Sequence, residues 1–168
     1  MHRKYVHTRF GIIELISENG VLTQAKSVPQ AGCENTCQAL ENASKALSDF
    51  ENGISASIEI PVFPKATEFQ MKVLKEISRI PFGETASYCE IARRIGYPKA
   101  SRAVGAALGK NPIWIFIPCH RVTGKNGALT GYAGGLLMKE MLLKHEKDHL
   151  AAKSSAICTA FVAAPLRT

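Results

Sequence analysis

The 168-residue sequence predicts an α/β N-terminal domain with a small antiparallel sheet, followed by a mostly α-helical C-terminal domain containing a helix-turn-helix. Three observations carry this reading. Two β-rich runs, Phe10 to Ile16 and Val21 to Ala25, meet at Asn19-Gly20, the pair that most readily supplies positive φ in a tight hairpin turn. Thr67 with Gln70, and Ser87 with Glu90, repeat the capping-box pattern, each opening a segment with apolar residues at helical spacing. Gly96 then falls where a short helix can close on a left-handed residue, and Pro98 falls where the next can begin.

Taken in order, the hairpin is followed by an irregular segment from Pro29 to Glu34. A helix comes next, with Leu40, Ala43, Leu47 and Phe50 on its buried face and an ion pair expected between Glu41 and Lys45. It should stop near Asn52-Gly53. Ile54, Ala56, Ile58 and Ile60 alternate as a further strand would, until Pro61 and Pro64 break regular structure and mark a linker. The second half opens with a helix carrying Phe69, Val73 and Ile77 and ending at Ile80, because Pro81 disfavours α geometry before it. The Ser87 helix offers Ile91, Ala92 and Ile95, and the helix after it buries Ala103, Val104 and Ala107. The expected division is 1–62 for the N-terminal domain, 63–150 for the helical domain and 151–168 for an extension.

Charge is unevenly spread. Residues 1–60 hold five Lys/Arg against seven Asp/Glu, whereas residues 61–150 hold fourteen against seven. From Ile91 to Lys125 there are seven basic side chains and no acidic one, a field suited to a polyanion. The apolar content of 46% excludes global disorder, and no stretch approaches the roughly 20 apolar residues of a membrane span. No apolar run of a signal peptide follows Met1, and the five cysteines are odd in number and irregularly spaced. A soluble chain in a reducing compartment is expected, cytoplasmic, or nuclear in a eukaryote.

The chemistry concentrates after residue 112. Ile113 to Ile117 reads as a buried strand, ended by Pro118, Cys119, His120 and Arg121 and followed by a glycine-rich loop from Gly124 to Gly135. A cysteine at the end of a rigid strand can be held with its sulfur toward a cleft. An ordinary thiol, with a pKa of about 8.5, is mostly protonated at neutral pH, so a nucleophilic Cys119 needs a base or a cation nearby. His120 and Arg121 supply both types, and an ionised sulfur is expected. Adjacent side chains of an extended segment point apart, so a bridging water is expected between Cys119 and His120.

The run from Ile117 to Val122, preceded by Asn111-Pro112 and followed by Gly131 to Gly135 and Leu142 to Glu146, resembles the methylated-DNA-protein-cysteine methyltransferases, or O6-alkylguanine-DNA alkyltransferases. Ile80 to Gly83, Ser87-Tyr88 with Ile91-Ala92, and Ser101 to Gly105 match the same family in the same order. The resemblance implies that Cys119 accepts the alkyl group of O6-alkylguanine, less readily O4-alkylthymine, in one irreversible step without a cofactor. It implies that His120 acts as a water-mediated base oriented by Glu146, and that Asn111 braces the turn. Tyr88 would hydrogen-bond the flipped base, and Arg102 would fill the space that the base leaves. Backbone around Val122 and Ala133 would read the guanine edge, with Trp114, Tyr132 and Gly134 completing the pocket and Trp114 narrowing it. The partner implied is double-stranded DNA, met through the minor groove by a monomer with no part for a membrane. Ala100, Ser101, Ala103, Gly105 and Ala106 make a recognition helix slim enough for a groove roughly 6 Å wide, and Arg121 joins the DNA-binding set.

Rival readings are weaker. His145, Glu146 and His149 have the spacing of a zinc-protease helix but lack a third ligand, and Cys33 with Cys37 lacks a set of four, so no metal site is expected. Cys89 and Cys158 read as structural. A non-catalytic alkyltransferase-like damage binder is the main alternative, with a helix-turn-helix regulator and a Cys-His hydrolase behind it. The retained Cys119 argues against the first.

Overall fold

The computed structural model describes residues 1–55 and 60–162, with side chains described through residue 151. Three strands, β1 (His2–Thr8), β2 (Gly11–Glu18) and β3 (Val21–Val28), form an antiparallel meander in that order. The β2–β3 turn is the expected one, with Asn19 at φ 52° and Gly20 at φ 78°, the left-handed pair that matches the twist of the flanking strands. The sequence reading missed β1, in which Val6 alone is buried. Helix α1 (Gln38–Glu51) lays Leu40, Ala43, Leu47 and Phe50 against the sheet. It ends at Asn52-Gly53 as expected, with Gly53 at φ 67°. The Glu41–Lys45 pair does not form. Glu41 instead takes Lys4 of β1 at 2.9 Å and Lys45 takes Asp49 at 2.7 Å, because a partner from the neighbouring strand is already within reach. Of the strand expected from Ile54 to Ile60, residues 56–59 lie outside those described.

Both capping boxes are present. Thr67 caps α2 (Glu68–Ile77), which ends three residues before the expected Ile80, the chain leaving through tight turns at Arg79 and Ile80. Ser87 caps α3 (Tyr88–Arg94), and a turn with Gly96 at φ 84° leads to α4 (Ser101–Gly109). Pro98 belongs to that turn and does not begin the helix, since the amide of Ala100 closes onto the carbonyl of Tyr97. Val104, Ala107 and Leu108 form the buried face of α4, whereas Ala103, expected inside, is exposed beside Arg102 and Ala106.

Two short pairings, neither readable in the sequence, bring the site together. Strand β4 (Ala86–Ser87) pairs in parallel with β5 (Val122–Thr123), joining the start of α3 to the chain just after Cys119. The edge of β3 also grips the segment before Cys119, because Ala25 accepts from the amide of Trp114 and donates to the carbonyl of Pro112, both at 2.9 Å. The N-terminal sheet thus buttresses the cysteine loop. Helix α5 (Leu136–Val162) closes the fold, so the chain from residue 151 continues that helix at least to Val162. A single apolar core runs from Val6 through Ile77 and Ile91 to Leu142. Among the described residues, no helix is long and apolar enough to cross a membrane.

Candidate active site

The segment expected as a buried strand is a turn. Ile113 bridges to Ala25 and Trp114 to Ile117, with Ile115 at φ 70° between them, and Cys119 to Arg121 then form one turn of 3-10 helix. A branched residue in the left-handed region is strained, and the structure around it holds it there. Asn111 is the brace: its Nδ2 donates to the carbonyl of Ile117 and to Cys119 Sγ, both at 3.0 Å, and its Oδ1 accepts from the Ile113 amide. The family resemblance places Asn111 at the turn, and the fold sets it on the sulfur as well.

Cys119 is 4% exposed, and its sulfur opens on a cavity of about 430 Å³ that it shares with Tyr88, Gly105, Gly131, Tyr132 and Ala133. That volume lies within the range of small-molecule sites. The thiol is not ionised at rest. Burial pushes its pKa up to about 11, outweighing the hydrogen bond from Asn111, its own backbone and the charge of Lys139. The cations expected to activate it are engaged elsewhere.

Arg121 is one of these, and it does not belong to the DNA surface to which the sequence assigned it. Its side chain is buried, Nε lying 3.0 Å from both oxygens of Glu146 and Nη1 donating to the carbonyl of Ile80 at 2.7 Å. Glu146 is itself fully buried, accepting from the Gly83 amide at 2.6 Å and meeting His120 Nε2 at 2.7 Å. Burial raises the Glu146 pKa, but His120 and Arg121 more than offset this and hold it below the ordinary carboxylate value. Burial likewise holds His120 below its ordinary value, against the pull of Glu146. The imidazole is therefore neutral and fixed by Glu146 through Nε2, while Nδ1 is buried with no protein partner. A neutral base with its free nitrogen inside the protein can take a proton through a water.

The loop between Val122 and Leu136 is held by a residue the sequence reading missed. Lys139, fully buried on α5, donates to the carbonyls of Val122 at 2.6 Å and Thr130 at 3.0 Å. Its pKa is lowered by burial. The signal was available: Lys139 stands three residues before Leu142 and seven before Glu146, in phase with the buried face of its helix. Tyr88 donates to the same Thr130 carbonyl at 2.9 Å, so at rest its hydroxyl is spent on the loop. Val122 and Gly134 do not line the cavity, and neither does Trp114. Trp114 stands behind Tyr132, ring centroids 5.9 Å apart, with its Nε1 on the carbonyl of Asn111.

Beside the cavity, sharing Tyr88 and Gly105 with it, runs an open groove bounded by Arg93, Arg102, Ser101 and the turn at Lys125 to Gly127. The exposed face of α4 carries Arg102, Ala103 and Ala106, of which Arg102 lines the groove. Ala100 and Ser101, at the start of that helix, are partly exposed. Cys89, read as structural, is exposed and also lines the groove. The histidines of the zinc-like pattern are committed to backbone: His145 Nε2 to Phe50 O and His149 Nδ1 to His145 O, each at 2.9 Å. Cys158 lies beyond the described side chains.

Residues 68–148 match the family model described as the 6-O-methylguanine DNA methyltransferase DNA binding domain. The chain is 50% identical over 119 residues to the methylated-DNA-protein-cysteine methyltransferase of Methanosarcina acetivorans, covering 71% of this chain and 76% of that one. It is 40% identical over 153 residues to the enzyme of that name from Mycolicibacterium paratuberculosis, covering 88% and 93%. Its fold superposes on the crystal structure of the Mycobacterium tuberculosis O6-methylguanine methyltransferase with a TM-score of 0.81 at 38% identity, over 88% of this chain and 93% of that one. The Mycobacterium tuberculosis OGT in complex with DNA gives 0.82 at 38% identity, over 89% and 94%.

Proposed function

The chain belongs to the methylated-DNA-protein-cysteine methyltransferases, which repair DNA by alkyl transfer, and on that premise we propose that Cys119 is the acceptor, taking the alkyl group of O6-alkylguanine irreversibly and once per molecule. O4-alkylthymine is the poorer substrate. The observation that carries this reading is the single sulfur opening on a base-sized cavity with a neutral, carboxylate-bound histidine behind it.

A thiol with a pKa near 11 cannot wait as a thiolate. Ionisation must accompany substrate docking, the proton moving through a water to His120 Nδ1 while Glu146 stabilises the imidazolium. The sulfur then attacks the alkyl carbon in line. The S–C bond forms as the C–O6 bond breaks, and the electron pair stays with the purine, which recovers a proton. Cys119 is left as a thioether with no leaving group, so the protein is consumed. Arg121, bound to Glu146, holds this relay and takes no part in DNA contact.

The target oxygen lies inside a base pair, so the nucleotide must be extruded at a cost of a few kcal/mol. The small-residue face of α4 supports minor-groove entry, with Arg102 filling the vacated stack. Tyr88 would exchange the Thr130 carbonyl for the entering base, and the backbone at Ala133 would face its edge. The working division is 1–62 as buttress and 63–150 as the DNA-binding and acceptor unit, acting as a monomer on double-stranded DNA.

Incubation with a duplex carrying one O6-methylguanine, followed by peptide mapping, tests this. One methyl on the Cys119 peptide, at most one per protein, and none in Cys119→Ala is the expected outcome. Tight damage binding without any added methyl would instead make the chain a non-catalytic alkyltransferase-like protein.

A further inference from the structure

Two polar atoms beside Cys119 are buried without a protein partner. One is His120 Nδ1, the proton acceptor of the proposed relay; the other is the hydroxyl of Tyr132. A buried phenol that forms no hydrogen bond costs stability. Its ring is nonetheless held in place from two sides. Trp114 packs against it at 45°, and Trp114 is in turn tied by Nε1 to the carbonyl of Asn111. On the other side Gly134 leaves room that a side chain would take, since a Cβ there would come within 2.8 Å of Tyr132 Cε1 and 3.1 Å of Trp114 Cζ3. Asn111 closes the circuit by donating to Cys119 Sγ.

Resting on the reading of Cys119 as acceptor, we infer that the Tyr132 hydroxyl is the second hydrogen-bond donor, beside the Asn111 amide, to the Cys119 sulfur as it becomes anionic, and that Trp114 positions it. A neutral thiol is a weak acceptor and leaves the donor idle; a thiolate is a strong one and claims it. Donors fixed in advance where charge develops need no reorganisation at the moment of reaction. The mutual influence of the two groups agrees with their proximity: Tyr132 draws the thiol pKa down, while the nearby sulfur adds to burial in raising the phenol's. Trp114 thereby acts through Tyr132 and Asn111, which accounts for a large aromatic side chain next to the cavity that does not line it.

The test is a donor series at Tyr132 read by alkylation of Cys119 with iodoacetamide at neutral pH, resolved by peptide mass spectrometry so that the other cysteines do not contribute. Tyr132→Phe removes the donor and keeps the ring. Tyr132→3-fluorotyrosine keeps ring and hydroxyl and makes the donor stronger. One unit of thiol pKa, after the lower nucleophilicity of a more acidic thiolate, leaves about a threefold change in rate. The phenylalanine variant should react about threefold more slowly than the parent and the fluorotyrosine variant faster, with neither thermal midpoint below the parent's. Equal rates across the series, or an equal loss in both variants, would overturn the inference. The reagent needs no DNA, so failure of methyl transfer from a lesion duplex would count against the proposed function and leave this result standing.

Discussion

Replacing Arg121 by methionine separates a buried anchor from a DNA contact. The guanidinium makes charge-assisted contacts of 3.0 Å to both Glu146 oxygens and one of 2.7 Å to the carbonyl of Ile80, with Phe82 beneath it. Breaking one side of a buried ion pair costs about 3–5 kcal/mol. Glu146 keeps His120 and the Gly83 amide, so the lower end, about 3 kcal/mol, is expected, or about 6–12 °C in thermal midpoint for a chain of this size. Urea titration measures the first and a thermal scan the second. DNA affinity, followed as a function of salt, should keep its slope, because the slope falls by about 0.9 only when a phosphate goes un-neutralised. Arg102→Ala is the counter-case, with weaker affinity for the lesion duplex at an unchanged midpoint. Should Arg121→Met fold as stably as the parent while its salt slope drops by about one unit, the buried assignment would be wrong.

Lys139→Met should remove the lysine from the carbonyl of Val122 and leave that of Thr130 to Tyr88 alone, lowering stability by about 2 kcal/mol and slowing methyl transfer far more than duplex binding; a variant of full single-turnover rate would show that the loop does not need this clamp. Stability should also narrow at both ends of the pH scale. His120 titrates below its ordinary 6.5 when folded, so its contribution is whole above that pH and is lost as pH falls below it, with Glu146 adding a further loss below 4.5. Cys119 stays protonated to about 11 when folded but only to about 9.0 when unfolded, so stability falls as pH rises between them. Urea midpoints flat from pH 7.5 to 5 would contradict the first part, and an alkaline slope that persists in Cys119→Ala would contradict the second.

Local signals were legible where a residue's role depends on near neighbours. The Asn19-Gly20 turn, both capping boxes, the Gly96 cap and the apolar stripe of α1 were read correctly because turn dihedrals and helix ends are set within a few residues. β1 escaped because its single buried apolar side chain, Val6, leaves no alternation to detect; its pairing comes from β2. The run from Ile113 to Ile117 looked like a strand because it is wholly apolar, yet Asn111, Ala25 and the strained Ile115 fold it into a turn. Apolar content reports burial and not conformation.

By itself the chain's order of residues determined the alkyltransferase family and singled out Cys119, the neighbouring His120 and the distant Glu146 as candidate site residues, since they stand in the spaced blocks that carry the resemblance. Only the tertiary structure decided the fate of the charges. It turned Arg121 inward onto Glu146, sank Lys139 beneath the loop carbonyls and left Cys119 protonated, because whether a cation meets a carboxylate, a carbonyl or a phosphate depends on what long-range packing brings within 3 Å of it.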